Sequence, residues 1–320
     1  MQNKSLDLSI EELEETIQTL NSTVWEDQAQ KEKLSAWLSN FNEPNYGNLN
    51  EQKLHAMYLL SQFMYFGIRE IRELMRHLYQ ESFKYPLIRH IRKTNGNIKD
   101  LDFLYQEYEE ILRKSRFLGM GNPSESGAHL LYYFRQENKL DKDLFINALD
   151  IFDNYSTGIT LKDPQIENYV FIDDFCGSGK QAESYSEKIL TALKNFKPTC
   201  KVYYFLLFGT QKGIEKIKSS TKFDHIEAVY SLDESFKCFS DDSRFFIDGM
   251  YSNISKDFAK HIFESYGSKL WPAHPLGYKD GQNLIGFYHN TPDNTLPVIW
   301  FNEDISKWKP IFKRYHKLSQ

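Results

Sequence analysis

Ile10, Leu13, Ile17 and Leu20 recur three and four residues apart among acidic and polar neighbours, and the spacing returns in Leu54, Met57 and Tyr58 and on through Ser61 to Tyr65. Such a recurrence places an apolar stripe along one side of a helix. Further helices are expected over 68–82 and 100–114, with the turn Asn95-Gly96-Asn97 between them. Residues 1–115 therefore read as an all-α N-terminal region.

Beyond that point the texture changes. Short, continuous apolar runs at 169–172, 202–208 and 226–232 alternate with amphipathic stretches at 180–196 and 210–219. Uninterrupted apolar strands suit a sheet covered on both faces, and strands alternating with helices suit parallel βαβ units. Residues 116–320 are thus expected to form an α/β domain. A later run, 284–288, is a candidate to extend the sheet, and 271–281, rich in Pro and Gly, reads as a structured loop.

Composition narrows the class further. With 41% hydrophobic and 15% aromatic residues, a chain of 320 can bury a sizeable core in one large domain or two ordinary ones. A formal charge of −5 excludes a uniformly basic coat for nucleic acid but leaves room for local patches. Cys176, Cys200 and Cys238 lie far apart, without the spacing of a disulfide framework or a zinc site. No apolar run is long enough to span a bilayer, and the N-terminal stretch is acidic and polar, unlike a signal peptide, so no membrane association and a cytoplasmic location are expected.

The stretch Tyr169-Val170-Phe171-Ile172-Asp173-Asp174-Phe175-Cys176-Gly177-Ser178-Gly179-Lys180-Gln181 carries the chemistry. An apolar strand ends in two acids, and a glycine-bearing turn opens a helix. Unpaired amides at the start of a helix, beside the positive end of its dipole, form an anion site. Gly177 and Gly179 allow close approach, Ser178 adds a hydroxyl and Lys180 a charge. Asp173 and Asp174 are placed to accept from ribose hydroxyls or to hold hydrated Mg²⁺. A Walker A loop needs a glycine at position 174 and a hydroxyl at 181, where the chain has Asp174 and Gln181. A turn whose acids only cap the helix is the plainer alternative.

These residues resemble the signature of type I phosphoribosyltransferases, in which two acids at a strand end precede a small-residue phosphate loop. Where that family usually has Thr or Ser, this chain has Gly177 and Gln181, so two hydroxyl donors are replaced. The resemblance implies a parallel-sheet phosphoribosyltransferase-like core. It also implies that Asp173 and Asp174 are catalytic and hold Mg²⁺, and that Phe175, Cys176, Gly177, Ser178, Gly179, Lys180 and Gln181 bind the phosphate of phosphoribosyl pyrophosphate (PRPP) or a nucleotide. A second loop, 119–127, occupies the place of the family's pyrophosphate loop, with Ser124, Glu125, Ser126 and Gly127 as candidates; a helix start capped by Ser124 or Ser126 is the alternative.

With Trp37 to Phe41, Leu59 to Tyr65, Trp271 to Gly277 and His289 to Pro297, the chain resembles the phosphoribosyltransferase-like proteins of bacterial conflict systems, PRTase-CE. That likeness implies an antiviral defence effector, of retron type, beside a reverse transcriptase and its nucleic-acid product. Arg69, Arg72 and Arg76, with Arg89, His90, Arg92 and Lys93, are the basic residues available to such a product, although Glu70 and Glu73 interrupt the first group. His274 and His289 are candidates for acid–base work or for packing within loops. Three functions are open at this stage: transfer or cleavage at ribose C1, sensing of PRPP or a nucleotide without chemistry, and an interaction scaffold.

Overall fold

The computed structural model describes residues 7–121, 126–155, 158–247, 249–304 and 308–315. It divides into two compact units, Met1–Arg69 with Asp233–Gln320, and Glu70–Leu232. In chain order the strands are β1 (Met64–Phe66), β2 (Ser115–Gly119), β3 (Phe152–Tyr155), β4 (Gly158–Leu161), β5 (Asn168–Cys176), β6 (Lys201–Thr210), β7 (His225–Leu232) and β8 (Ile285–Phe287).

The continuous unit is built on a four-stranded, all-parallel sheet of order β2-β5-β6-β7, and β3 and β4 form a separate antiparallel hairpin. β5 and β6 are buried along nearly their whole length, which is why their sequences run apolar without alternation. One face packs Phe117 and Phe205 against Phe83, and Phe134 against Phe117. On the opposite face Tyr169, Phe171, Tyr204 and Leu206 meet Leu190, Leu193, Ile214 and Ile217 from the following helices. Each fully buried aromatic or aliphatic side chain there contributes about 1.5–3 kcal/mol. The helical stretch after β5 holds a π-turn, Ser186–Leu190, between Lys180–Tyr185 and Thr191–Phe196, and a second π-turn, Gln80–Lys84, follows the helix Ile68–Tyr79.

The discontinuous unit gathers the first and last parts of the chain. Helices Ile10–Thr23, Lys31–Leu38, Leu49–Ser61 and Lys256–Leu270 surround a core rich in rings, among them Trp25, Trp37, Phe41, Phe63, Trp308 and Phe312. The indole N–H groups of Trp37 and Trp308 both donate to the Val298 carbonyl, at 2.7 and 2.9 Å. Two expectations are corrected in this unit. The run 284–288 does not extend the main sheet: β8 pairs with β1 in a two-stranded parallel sheet, Met64 opposite Ile285. For the same reason the N-terminal region is not wholly α, because the helix Leu49–Ser61 ends before Met64. The Met64 amide donates to the Leu284 carbonyl at 2.9 Å, so a distant pairing overrides a local pattern that suits helix and strand alike.

Candidate phosphate site at the end of β5

β5 is an internal strand, hydrogen-bonded to β2 on one side and β6 on the other, so its carboxyl end opens at the middle of the sheet edge. Ligands of parallel α/β sheets are held at that end of the strands. Asp173 and Asp174 stand there at 6% and 8% exposure, both among the buried polar residues. The two acids differ in what holds them. Tyr204 Oη donates to Asp173 Oδ2 at 2.9 Å, and the Asp174 amide donates to Asp173 Oδ1 at 3.0 Å.

Burial raises the proton affinity of Asp173 far above the ordinary carboxylate range, and the charge of Asp174 beside it raises it further. A hydrogen bond between the two carboxyls acts in the same direction, while the Tyr204 hydroxyl opposes it. Asp173 and Asp174 therefore tend to share a proton when no cation is near.

The loop that follows is fixed by its backbone. Gly179 adopts φ +72° as the residue preceding the helix Lys180–Tyr185, and it brings no side-chain acceptor to the first-turn amides. Its neighbours leave little room: a methyl on Gly179 would lie 3.1 Å from the Gly213 carbonyl oxygen and 3.1 Å from Ile217 Cγ1. Thr210, at the end of β6, donates from Oγ1 to the Gly177 carbonyl at 2.5 Å and accepts from the Gly213 amide at 3.0 Å. The close approach requires glycine at 213, since a side chain there would overlap the Gly177 carbonyl. One hydroxyl thus caps the helix Gln211–Ser220 and clamps the loop.

Of the loop side chains expected to meet phosphate, Gly177 and Ser178 are half-buried, and Lys180 and Gln181 are exposed. Phe175 is half-buried and opposite Phe208 of β6. Cys176 is buried, and burial first, then the Asp173 charge, pushes its thiol up to about 12, which disfavours the thiolate. The Lys216 ammonium pairs with Glu183, and the Ser220 hydroxyl donates to the same carboxylate at 2.8 Å, anchoring the helix after the loop to the next one.

The second loop starts at the same edge. β2 lies against β5 with Gly119 opposite Ile172, and the Met120 amide donates to the Ile172 carbonyl at 3.0 Å, so this loop departs one residue from Asp173. Ser124 and Glu125 lie outside the described residues, and Ser126 and Gly127 begin the helix Ser126–Asn138. Among the described residues no group of three or more His, Cys, Asp and Glu is gathered to hold a metal. Among the described residues the acids at this strand end are Asp173 and Asp174.

Away from this edge, His274 and His289 pack in ring clusters of their loops, His274 against Trp271 and Tyr278, and His289 against Phe287 and Tyr288. Arg72 donates to Glu137 at 2.5 Å and Arg76 pairs with Glu73, while Arg89, His90, Arg92 and Lys93 are exposed on the helix Tyr85–Thr94. Tyr204, Thr210 and Gly213 were not expected at the site. The sequence signals for them are the capping pattern Thr210-Gln211-Lys212-Gly213 and the adjacent hydroxyls of Tyr203 and Tyr204 inside an otherwise apolar strand.

A parallel sheet whose internal strand ends in two acids and a glycine loop defines a phosphoribosyltransferase-like protein. The PRTase-CE family model matches residues 34–314, and the chain belongs to that family. Solved structures that the chain matches include the xanthine-guanine-hypoxanthine phosphoribosyltransferase of Helicobacter pylori, at 12% identity over 53% of this chain and 89% of that one, TM-score 0.28. Another is the adenine phosphoribosyltransferase of Trypanosoma brucei, at 13% identity over 49% of this chain and 72% of that one, TM-score 0.24. No curated protein matches the chain. No helix among the described residues is long and apolar enough to cross a membrane.

Proposed function

We propose that the end of β5 binds the ribose 5-phosphate part of PRPP or a nucleotide and that the chain acts on the ribose C1 bond. The observation that carries this reading is the loop itself: Gly179 in a left-handed conformation turns the chain into a helix whose first amides receive no cap from its side chain, with two acids immediately before it. In this reading Gly177 to Gln181 enclose the phosphate, with Ser178 and Lys180 supplying a hydroxyl and a charge. Asp174 accepts from the ribose hydroxyls. Asp173, with both carboxyl oxygens engaged, holds the Asp174 backbone in register.

The donor set fits Mg²⁺ in the manner usual for that ion, one or two carboxylates with the remainder from water and ligand phosphates. Mg²⁺, when bound, would neutralise a pyrophosphate leaving group, and Asp174 with Asp173 behind it would hold the ion. Ionisation of the buried pair then accompanies binding, because the shared proton and the cation compete for the same oxygens.

Sensing without chemistry is favoured by Gly177 and Gln181, which stand where the resembling enzymes carry hydroxyls. Pyrophosphate release separates the readings. Titration with PRPP and Mg²⁺ is expected to raise the thermal midpoint, and a coupled assay to detect pyrophosphate. A midpoint unmoved by millimolar PRPP with Mg²⁺ would sink both, while a shift without pyrophosphate leaves the sensor. A role as a defence effector touching a reverse transcriptase and its nucleic-acid product would draw on the exposed Arg89, His90, Arg92 and Lys93.

A further inference from the structure

The two edges of the four-stranded sheet differ. The outer side of β2 is covered by the chain itself: Phe145 bridges Phe117, and the Ile146 amide donates to the Phe117 carbonyl at 3.2 Å. β7, at the other edge, has β6 as its one strand neighbour among the described residues. The β6–β7 pairing keeps one offset from Tyr203 opposite His225 to Thr210 opposite Leu232, and just before it the Asp224 amide donates to the Val202 carbonyl at 2.8 Å. A period of two therefore aims the backbone of Ile226, Ala228 and Tyr230 at β6 and that of Glu227, Val229 and Ser231 outward. Exposed edges are ordinarily guarded by charged side chains, proline or a bulge, and β7, His-Ile-Glu-Ala-Val-Tyr-Ser-Leu, with its single offset, has no proline, no lysine and no bulge, and one acid, Glu227.

Beside this edge runs a groove of about 820 Å³, with Glu73, His77, Glu81 and Tyr85 on one wall and Val229 and Tyr230 on the other. Tyr85, 44% exposed, adds an apolar surface to this polar trough, while the Tyr230 ring stacks on Phe208 of β6. Two carboxylates, Glu73 and Glu81, line the groove, and Glu227 lies outside its lining, one pleat before Val229 on the same face of β7. The guanidinium within the groove, Arg76, is already bound to Glu73.

We propose that the outer edge of β7 receives an extended basic peptide of a protein partner, added to the sheet as a further strand. The outward amide and carbonyl groups of Glu227, Val229 and Ser231 would pair with its backbone, which gives affinity without regard to sequence. Alternate side chains of the added strand face the groove, so a lysine or arginine meets Glu81 while an aliphatic neighbour two residues on covers Val229 and Tyr85. The acid excess selects the basic peptide over an acidic one.

The test uses the full chain and a fluorescent octapeptide, Lys-Thr-Val-Thr-Lys-Thr-Val-Thr, whose lysines and valines follow one another two residues apart on one face, and reads anisotropy and hydrogen exchange. Saturable binding is expected, with slowed exchange at the amides of Glu227, Val229 and Ser231. Affinity should fall about tenfold or more when the lysines become glutamates or when alternate peptide amides are N-methylated. Val229→Pro removes an outward donor and leaves the ladder to β6 intact, a substitution that edge strands tolerate, and Glu81→Lys reverses the groove charge. Each is expected to weaken binding about tenfold with the unfolding midpoint retained, and Glu81→Lys decides if the proline variant does not fold. The proposal is overturned if the N-methylated peptide binds as well as its parent, if Glu81→Lys leaves affinity unchanged, or if nothing binds at millimolar peptide. It is also overturned if the chain is a dimer that Val229→Pro splits, which would give the edge to a second copy.

Discussion

At Asp173 a carboxyl sits in a place that disfavours its charge. Burial, and then the neighbouring charge of Asp174, lift its proton affinity above the ordinary value of 3.8. A carboxyl raised in this way supports the fold fully below that value, and its support is lost as pH rises toward the folded value, at no more than about 1.4 kcal/mol per pH unit. Asp173→Asn keeps the shape and has no proton to lose. Its thermal midpoint relative to wild type should therefore climb as pH rises above 3.8 in calorimetry. A difference that does not change with pH would mean that Asp173 ionises as a surface acid does. Gly179 makes the complementary point about the backbone. Alanine at φ +72° costs about 1–2 kcal/mol, and its methyl would press on Gly213 and Ile217. Gly179→Ala should lower the urea midpoint accordingly and abolish the PRPP-induced thermal shift, and a retained shift would show that the loop does not hold the phosphate.

One step up, the site is a joint between elements, and Thr210 is the fastening. Its hydroxyl both caps the helix Gln211–Ser220 and holds the Gly177 carbonyl. Thr210→Val keeps the branched shape and loses both bonds, so a loss of about 1–2 kcal/mol is expected in chemical denaturation. PRPP affinity should fall about tenfold, the equivalent of 1.4 kcal/mol, and Thr210→Ser should restore both. Unchanged affinity in the valine variant would separate the clamp from the site. This is also the scale at which sequence is most and least informative. β5 was legible because a strand buried on both faces must be apolar throughout, and the break to Asp173, Asp174 and glycine marks where the sheet ends. The difference between the two acids was not, because it depends on Tyr204 lying across the strand pair, a register that no local pattern contains. β1 was read as helix for a related reason: Met64 to Phe66 becomes a strand by pairing with Ile285 to Phe287, more than two hundred residues on. The change of texture near residue 115 tracks where strands of the main sheet begin, whereas the compact units divide at Arg69 and Leu232, a property of contacts rather than of composition.

For the whole molecule, the order of the chain makes the two units unequal. The discontinuous unit must bring residues from both ends together, and His55 is one of its ties. The His55 ring accepts from the Ser255 amide at Nε2, 2.9 Å away, and its Nδ1 contacts the Glu51 carbonyl at 2.8 Å, an arrangement that needs the neutral imidazole. Burial lowers its proton affinity below the ordinary 6.5, so this tie is complete above that pH and is lost as pH falls toward the folded value, again at no more than about 1.4 kcal/mol per unit. His55→Gln should be less stable than wild type at pH 7.5 and lose less on acidification to pH 5.5, and parallel pH profiles would remove His55 from the account. The continuous unit has no such requirement. Its parallel sheet, both covering layers, Asp173, Asp174, the loop to Gln181 and the Thr210 clamp are all contained in Glu70–Leu232. A unit with its own core can fold alone. A fragment of residues 67–232, starting ahead of the helix Ile68–Tyr79, should therefore unfold cooperatively, whereas 1–69 alone, parted from core partners such as Phe263, Val298, Trp308 and Phe312, should not. If the phosphate site is complete within this unit, the fragment binds PRPP with Mg²⁺ within about threefold of the full chain by calorimetry, a difference under 1 kcal/mol. A folded fragment that binds more than about a hundredfold more weakly, a loss near 2.7 kcal/mol, would mean that the loop and the two acids do not suffice, and the assignment of the site to the end of β5 alone would fall.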